Sequence, residues 1–188
     1  MDLLNAYATV IAEHWAVWLV TVVLIVAAVI DGFELKVPNW VTFPFILSGW
    51  AYSTIAFGWE GLGWSLLGTV VGLALLMPPY AIGGMGAGDV KLLAGVGAWV
   101  YGVNTAYAFA VSAIVGAVLA VLMVVVRRGW KRHSAQFMVI LNEILVIRNP
   151  EQLAAIAAQR KPTMMLLPYG IPIAIGTIGY FVWTGMLV

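Results

Sequence analysis

The sequence predicts an all-α polytopic membrane protein of about six transmembrane helices, N-terminus outside, with a cytoplasmic loop that carries short helices. Three observations predict it. Of 188 residues, 63% are hydrophobic and only 9% are charged, against about 25% charged in an ordinary soluble domain. Apolar stretches approaching the roughly 20 residues that a spanning helix needs recur along the whole chain. Finally, the nine Lys and Arg residues fall on one side of the resulting topology, as the positive-inside rule requires. No polar stretch is long enough to fold alone, so residues 1–188 are expected to form one membrane-embedded domain.

The first span is read over Trp15–Ile30. The residues before it carry Asp2 and Glu13 with no Lys or Arg, unlike a cleaved signal peptide, so this span is expected to stay. The second and third spans are read over Trp40–Phe57 and Leu62–Ile82. Pro78-Pro79 lies inside the third, where a kink is tolerable if neighbouring groups satisfy the freed backbone. Val90–Tyr101, short and Gly-rich, is the fourth span, followed by Thr105–Val126 and Leu166–Val188. Trp15, Trp40, Trp59, Trp64, Trp99 and Trp183 lie near span ends, the places of interfacial anchors.

This order puts loops 31–39, 83–89 and 127–165 inside, and the fourth span is what keeps the most basic of them from facing outward. Lys36, Lys91, Arg127, Arg128, Lys131, Arg132, Arg148, Arg160 and Lys161 then lie on or within a turn of the inner side. In the 127–165 loop a basic collar suits anionic headgroups. Phe137–Ile147 suits an interfacial or re-entrant helix. Asn149-Pro150-Glu151 reads as the N-cap and first turn of a short helix to Arg160.

Two aspartates lie at that same inner face. Asp31 follows the first span, and Asp89 closes the run Gly83–Asp89 and opens the fourth. Brought together, such a pair shares one proton: burial and mutual repulsion raise one pKa while the partner stays ionised. The ionised member then takes a proton from water while the neutral one polarises a carbonyl. That is aspartic-protease chemistry, and it needs no cofactor. Singly, each acid also has an ordinary reading, Asp89 as a helix N-cap and Asp31 as a solvated loop acid beside a C-terminal Gly32.

The glycine run fails the dinucleotide fingerprint. Gly83 and Gly88 have P-loop spacing, but Asp89-Val90 stands where Lys-Ser/Thr is needed and would repel phosphate. Close helix packing is one use of the glycines; letting an extended substrate backbone approach Asp89 is another. His14, His133 and the methionines have the spacing of interfacial or packing residues rather than metal ligands. The absence of cysteine excludes disulfides and thiolate metal sites.

Gly86-Ala87-Gly88-Asp89, followed by Val90-Lys91-Leu92-Leu93, resembles the GxGD motif of membrane aspartic proteases, in particular the type IV prepilin peptidases. Asp31 with the downstream Val37-Pro38-Asn39 is similar to that family's first aspartate and its turn. Pro168-Tyr169-Gly170 resembles its Pro-Tyr-Gly segment. The resemblance implies an aspartic endopeptidase of the inner (cytoplasmic) membrane that removes the short basic leader of prepilin precursors at the cytoplasmic face. Asp31 and Asp89 would be catalytic. Gly86, Gly88, Lys91, Pro38, Asn39, Pro168, Tyr169 and Gly170 would bind substrate or shape the site. No metal, cofactor or nucleic acid is implied; the partners are the precursor and the bilayer.

Many bifunctional members carry a loop with paired CxxC motifs between the first two spans, associated with N-methylation. The short loop and the absence of cysteine look like the compact TadV/CpaA-like branch that processes Flp-type pilins. Archaeal preflagellin peptidases are close to the same pattern. A small ion-coupled transporter is the reading from a different class, although both acids lie at span ends and no inverted repeat is visible. A non-catalytic scaffold of a membrane assembly is a third.

Overall fold

The computed structural model describes residues 2–81, 84–126, 152, 155–156 and 167–187, with side chains described from residue 14 onward apart from Val124. The readings made on 127–151, on most of the helix to Arg160, and on His133, Met164 and Met165 lie outside the described residues. Four helices make up the described structure: α1 (Asp2–Glu34), α2 (Asn39–Ala81), α3 (Ala87–Val126) and α4 (Gly170–Trp183). From His14 onward α1 is long and apolar enough to cross a membrane, as are α2 and α3; α4 is apolar but shorter.

The first helix bends at His14, where the backbone leaves helical values (φ −111°, ψ 19°). It does not stop at Ile30 as expected. It runs one turn further, through Asp31, and ends where Leu35 adopts a left-handed conformation (φ 53°). The Leu35 N–H donates to the Asp31 carbonyl (2.9 Å), the single bond of an αL cap. Asp31 is therefore a helical residue, 2% exposed, rather than a solvated loop acid, and Leu35 takes the capping position that Gly32 suggested.

α2 is two helices back to back. At Gly58 the backbone takes φ 65°, ψ −151°, a region essentially restricted to glycine. Beyond it the chain turns back, since the Trp50 indole N–H donates to Thr69 Oγ1 at 3.0 Å. Along a straight helix those residues would stand about 28 Å apart. The helical path continues through Pro44, Pro78 and Pro79.

α3 breaks likewise at Tyr101 (φ 64°, ψ 175°). Its first half is the centre of the molecule: Leu92, Leu93, Ala94, Val96 and Ala98 are fully buried. Its glycines are contact points. Gly97 and Gly68 of α2 face each other so closely that a Cβ on either would strike the other's carbonyl oxygen, and Gly95 lies under the Phe45 ring. Small residues let backbones approach in this way, which explains a short, Gly-rich segment: it is walled by protein and has little lipid to face. The second half carries α4, with Gly176 against Ser112 and the Tyr180 hydroxyl donating to Asn104 Oδ1 at 2.8 Å.

One expected anchor is placed otherwise. Trp99 is buried, its indole N–H donating to the Phe45 carbonyl (3.0 Å), and its ring stacks on Tyr52 at 5.1 Å. Trp40, Trp59, Trp64 and Trp183 are exposed. The outer surface is apolar: Val22, Ile25, Val29, Val118, Val121 and Leu122 are all exposed, the inverse of a water-facing helix pattern.

Candidate active site

The site is assembled at one end of the bundle from four chain segments. Asp31 comes from the last turn of α1. Its Oδ2 accepts the N–H of Gly170, the first residue of α4, at 2.7 Å. That distance is at the short end of the N–H···O range. A side chain at 170 would obstruct it, because a Cβ there would stand 2.9 Å from Oδ2.

Asp89 is the third residue of α3 and is also buried. Its Oδ2 accepts the N–H of Gly86, the residue before the helix, at 3.2 Å. This is the reach-back half of a capping box, with an acid at the third position satisfying the N-cap amide. The N-cap itself is Gly86, so Asp89 does cap the helix, but from inside it.

Gly88 joins the two aspartate segments. Its missing Cβ faces the backbone of Val37: a methyl there would run into the Val37 carbonyl oxygen and come within 3.0 Å of its nitrogen. The connection between α1 and α2 is thereby seated on the GxGD turn. Pro38 follows and opens α2, its carbonyl accepting from Val41 (3.1 Å) and Thr42 (3.3 Å). Asn39 and Lys91 close the outer edge, with Lys91 Nζ donating to Asn39 Oδ1 at 2.9 Å and lying 4.8 Å from the Phe43 ring centroid.

The Pro168-Tyr169-Gly170 segment spans both acids. The Pro168 carbonyl accepts the Ile171 N–H (3.2 Å) and the Tyr169 carbonyl that of Ile173 (3.1 Å), which sets the first turn of α4. Gly170 holds Asp31, while the Tyr169 hydroxyl lies within the electrostatic reach of Asp89. The same hydroxyl packs against Gly116 in the second half of α3, 3.3 Å from where a Cβ would be. Residues 89 and 116 would be about 40 Å apart on a straight helix, so the Tyr101 break folds α3 back toward its own start.

Of the residues singled out from the sequence, Asp31 meets Gly170, Asp89 meets Gly86, Lys91 meets Asn39, and Gly88 is seated on the Val37 backbone beside Pro38. Sequence reasoning missed Gly116 and Phe43. An isolated glycine among Ala and Val is a weak signal for the first; the second has none. Among the described residues no three His, Cys, Asp or Glu side chains group as a metal site would.

A profile of the type IV leader peptidase family matches residues 18–121, more than half of the chain and inclusive of both aspartates. The chain belongs to the type IV leader peptidase family. Relatives include the prepilin leader peptidase/N-methyltransferase of Aeromonas hydrophila, 30% identical over 142 residues, which are 70% of this chain and 49% of that protein. The protein of the same name from Aeromonas salmonicida (strain A449) is 29% identical over 129 residues, 65% of this chain and 44% of the relative. The chain spans about half the length of the curated relatives it matches. No solved structure matches it. Within this family setting the Pro168–Gly170 segment lies beyond the matched stretch, yet it is the part that touches Asp31 directly.

Proposed function

We propose that this protein is a prepilin leader peptidase in which Asp31 and Asp89 activate water against the peptide bond at the end of a short basic leader. The observation that carries the reading is a pair of buried carboxylates from helices far apart in sequence: Asp31 is held by the Gly170 N–H, and Asp89 opens α3 beside Gly88, which is seated on the connection that follows α1. Two acids in one desolvated site divide the work: one ionised and taking a proton from water, one protonated and polarising the carbonyl. Family membership supports the same chemistry.

In the fuller reading the two back-to-back helices, α2 and α3, each cross the bilayer twice, and with α1 and α4 they make six spans. The N-terminus lies outside and the site lies at the cytoplasmic face of the inner membrane, a side assigned by the Lys and Arg distribution. We assign the protein to leader removal without methyl transfer, on Flp-type precursors. Support comes from the 35–38 connection between α1 and α2 and from a sequence without cysteine.

The test is co-expression with candidate precursors, reading leader loss by gel shift. Wild type is expected to shorten its precursor. Asp31→Asn and Asp89→Asn are each expected to abolish cleavage while the protein still reaches the membrane. Full cleavage by both variants would overturn the reading.

A further inference from the structure

A lateral groove of about 450 Å³ runs between α1 and α4, and every residue that lines it is apolar or glycine. Val29 and Phe33 of α1 and Ile175 of α4 form its exposed rim, with Ala28, Gly32 and Ile171 among the remaining lining residues. One end is fixed with respect to the site. Gly32 and Ile171 are the chain neighbours of Asp31 and Gly170, which are joined by the 2.7 Å hydrogen bond. From there the groove extends away from the carboxylates for about two helical turns of each wall.

We infer that this groove receives the apolar helix of a membrane-tethered precursor and delivers the bond ahead of it to Asp31, an inference that rests on the peptidase reading above. Three features favour a helix over an acyl chain. Ala28 and Gly32 stand four residues apart on one face of α1, the small-xxx-small spacing that admits a second helix backbone. Internal packing does not demand that glycine: a Cβ on Gly32 would meet only Ile171 Cδ1, at an ordinary 3.6 Å, whereas Cβ atoms on Gly88 and Gly170 would collide with the site itself. The groove also opens sideways on an apolar surface and stops beside Asp31. A helix can therefore slide in without leaving the bilayer, and the segment just ahead of it passes the carboxylate. An acyl chain gains nothing from that alignment.

The chain has no cysteine, so single cysteines report unambiguously. Val29→Cys and Ile175→Cys, each in an Asp31→Asn background that retains substrate, are co-expressed with a precursor carrying one cysteine in the first two turns of its apolar helix. The reference is Val118→Cys, at least as exposed but on α3. Cross-linking from the two groove positions is expected to exceed the reference by about fivefold or more. In the catalytically intact protein, Ile175→Trp, which fills the groove, is expected to raise KM about tenfold with kcat within about twofold. If wild type cleaves the precursor but the groove cysteines cross-link no better than Val118→Cys, the groove is overturned and the peptidase reading stands. If wild type cleaves no precursor while the groove cysteines still cross-link, the peptidase reading falls, and this inference falls with it.

Discussion

Two glycines place the carboxylates, and they do so by different means. Gly170 contributes both an amide proton for Asp31 and the empty volume that lets the carboxylate reach it. Gly88 contributes only volume, into which the Val37 backbone fits. Its role is thus to join the two acidic segments, whereas the sequence alone also allowed it to serve as a path for substrate. Displacing a catalytic group by about 1 Å can cost a hundredfold in rate. Gly170→Ala is accordingly expected to lower precursor cleavage at least about a hundredfold, with membrane insertion unchanged, as read by gel shift against time. Gly179→Ala, in the same helix, meets nothing within 4 Å. It is expected to leave cleavage within about twofold, since replacing a mid-helix glycine is favourable in itself. Equal loss in both would mean that α4 tolerates no substitution and that Gly170 has no special role. The acids and glycines of the two motifs were legible because each motif is local. The bond between Gly170 and Asp31 was not, because it joins residues 139 apart and no local pattern encodes such a partner.

Element boundaries were legible wherever a backbone break coincides with a change in composition. The turn between the second and third expected spans falls at Gly58, and that between the fourth and fifth at Tyr101. Hydropathy misled at the end of α1, where a charged Asp31 resembled a loop but is buried by α4. It misled again at Trp99, whose place near a span end suggested a lipid interface while its ring lies among Tyr52, Phe45 and Trp15. In both cases tertiary burial decides, and a single-segment pattern carries no record of it. Two contacts between α2 and α3 should differ sharply in strength. The Lys91–Asn39 bond is solvent-exposed, so a double-mutant cycle of Lys91→Met and Asn39→Ala is expected to give a coupling of about 0.5 kcal/mol. Gly97→Ala drives a methyl into the Gly68 carbonyl, and overpacking of this kind typically costs about 1–3 kcal/mol. Thermal unfolding in detergent should therefore rank Gly97→Ala as the more damaging. The reverse order would mean that the α2–α3 interface is held at its rim rather than through its glycines.

Across the whole molecule, the folding-back of α2 and α3 places the aspartate-bearing helix ends and the Gly58 and Tyr101 turns on opposite sides. The Trp50–Thr69 bond returns α2 toward its start, and the Tyr169 packing on Gly116 returns α3 toward Asp89. Asp31, Val37, Asp89 and Gly170 consequently gather at one end, with Gly58 and Tyr101 at the turns away from it. A bilayer imposed on this arrangement gives a definite sidedness, because Lys36 and Lys91 belong to the aspartate end while Glu60 sits by the Gly58 turn. On the reading proposed above, the positive-inside rule sets the aspartates toward the cytoplasm. Since the sequence lacks cysteine, Trp59→Cys and Lys36→Cys can each serve as a sole reporter; both sites are exposed. A membrane-impermeant thiol reagent added to intact cells is expected to label Trp59→Cys and to label Lys36→Cys only after permeabilisation. Labelling of both from outside would break the hairpin reading of α2. Labelling of Lys36→Cys alone would invert the topology and place the carboxylates away from any cytoplasmic leader.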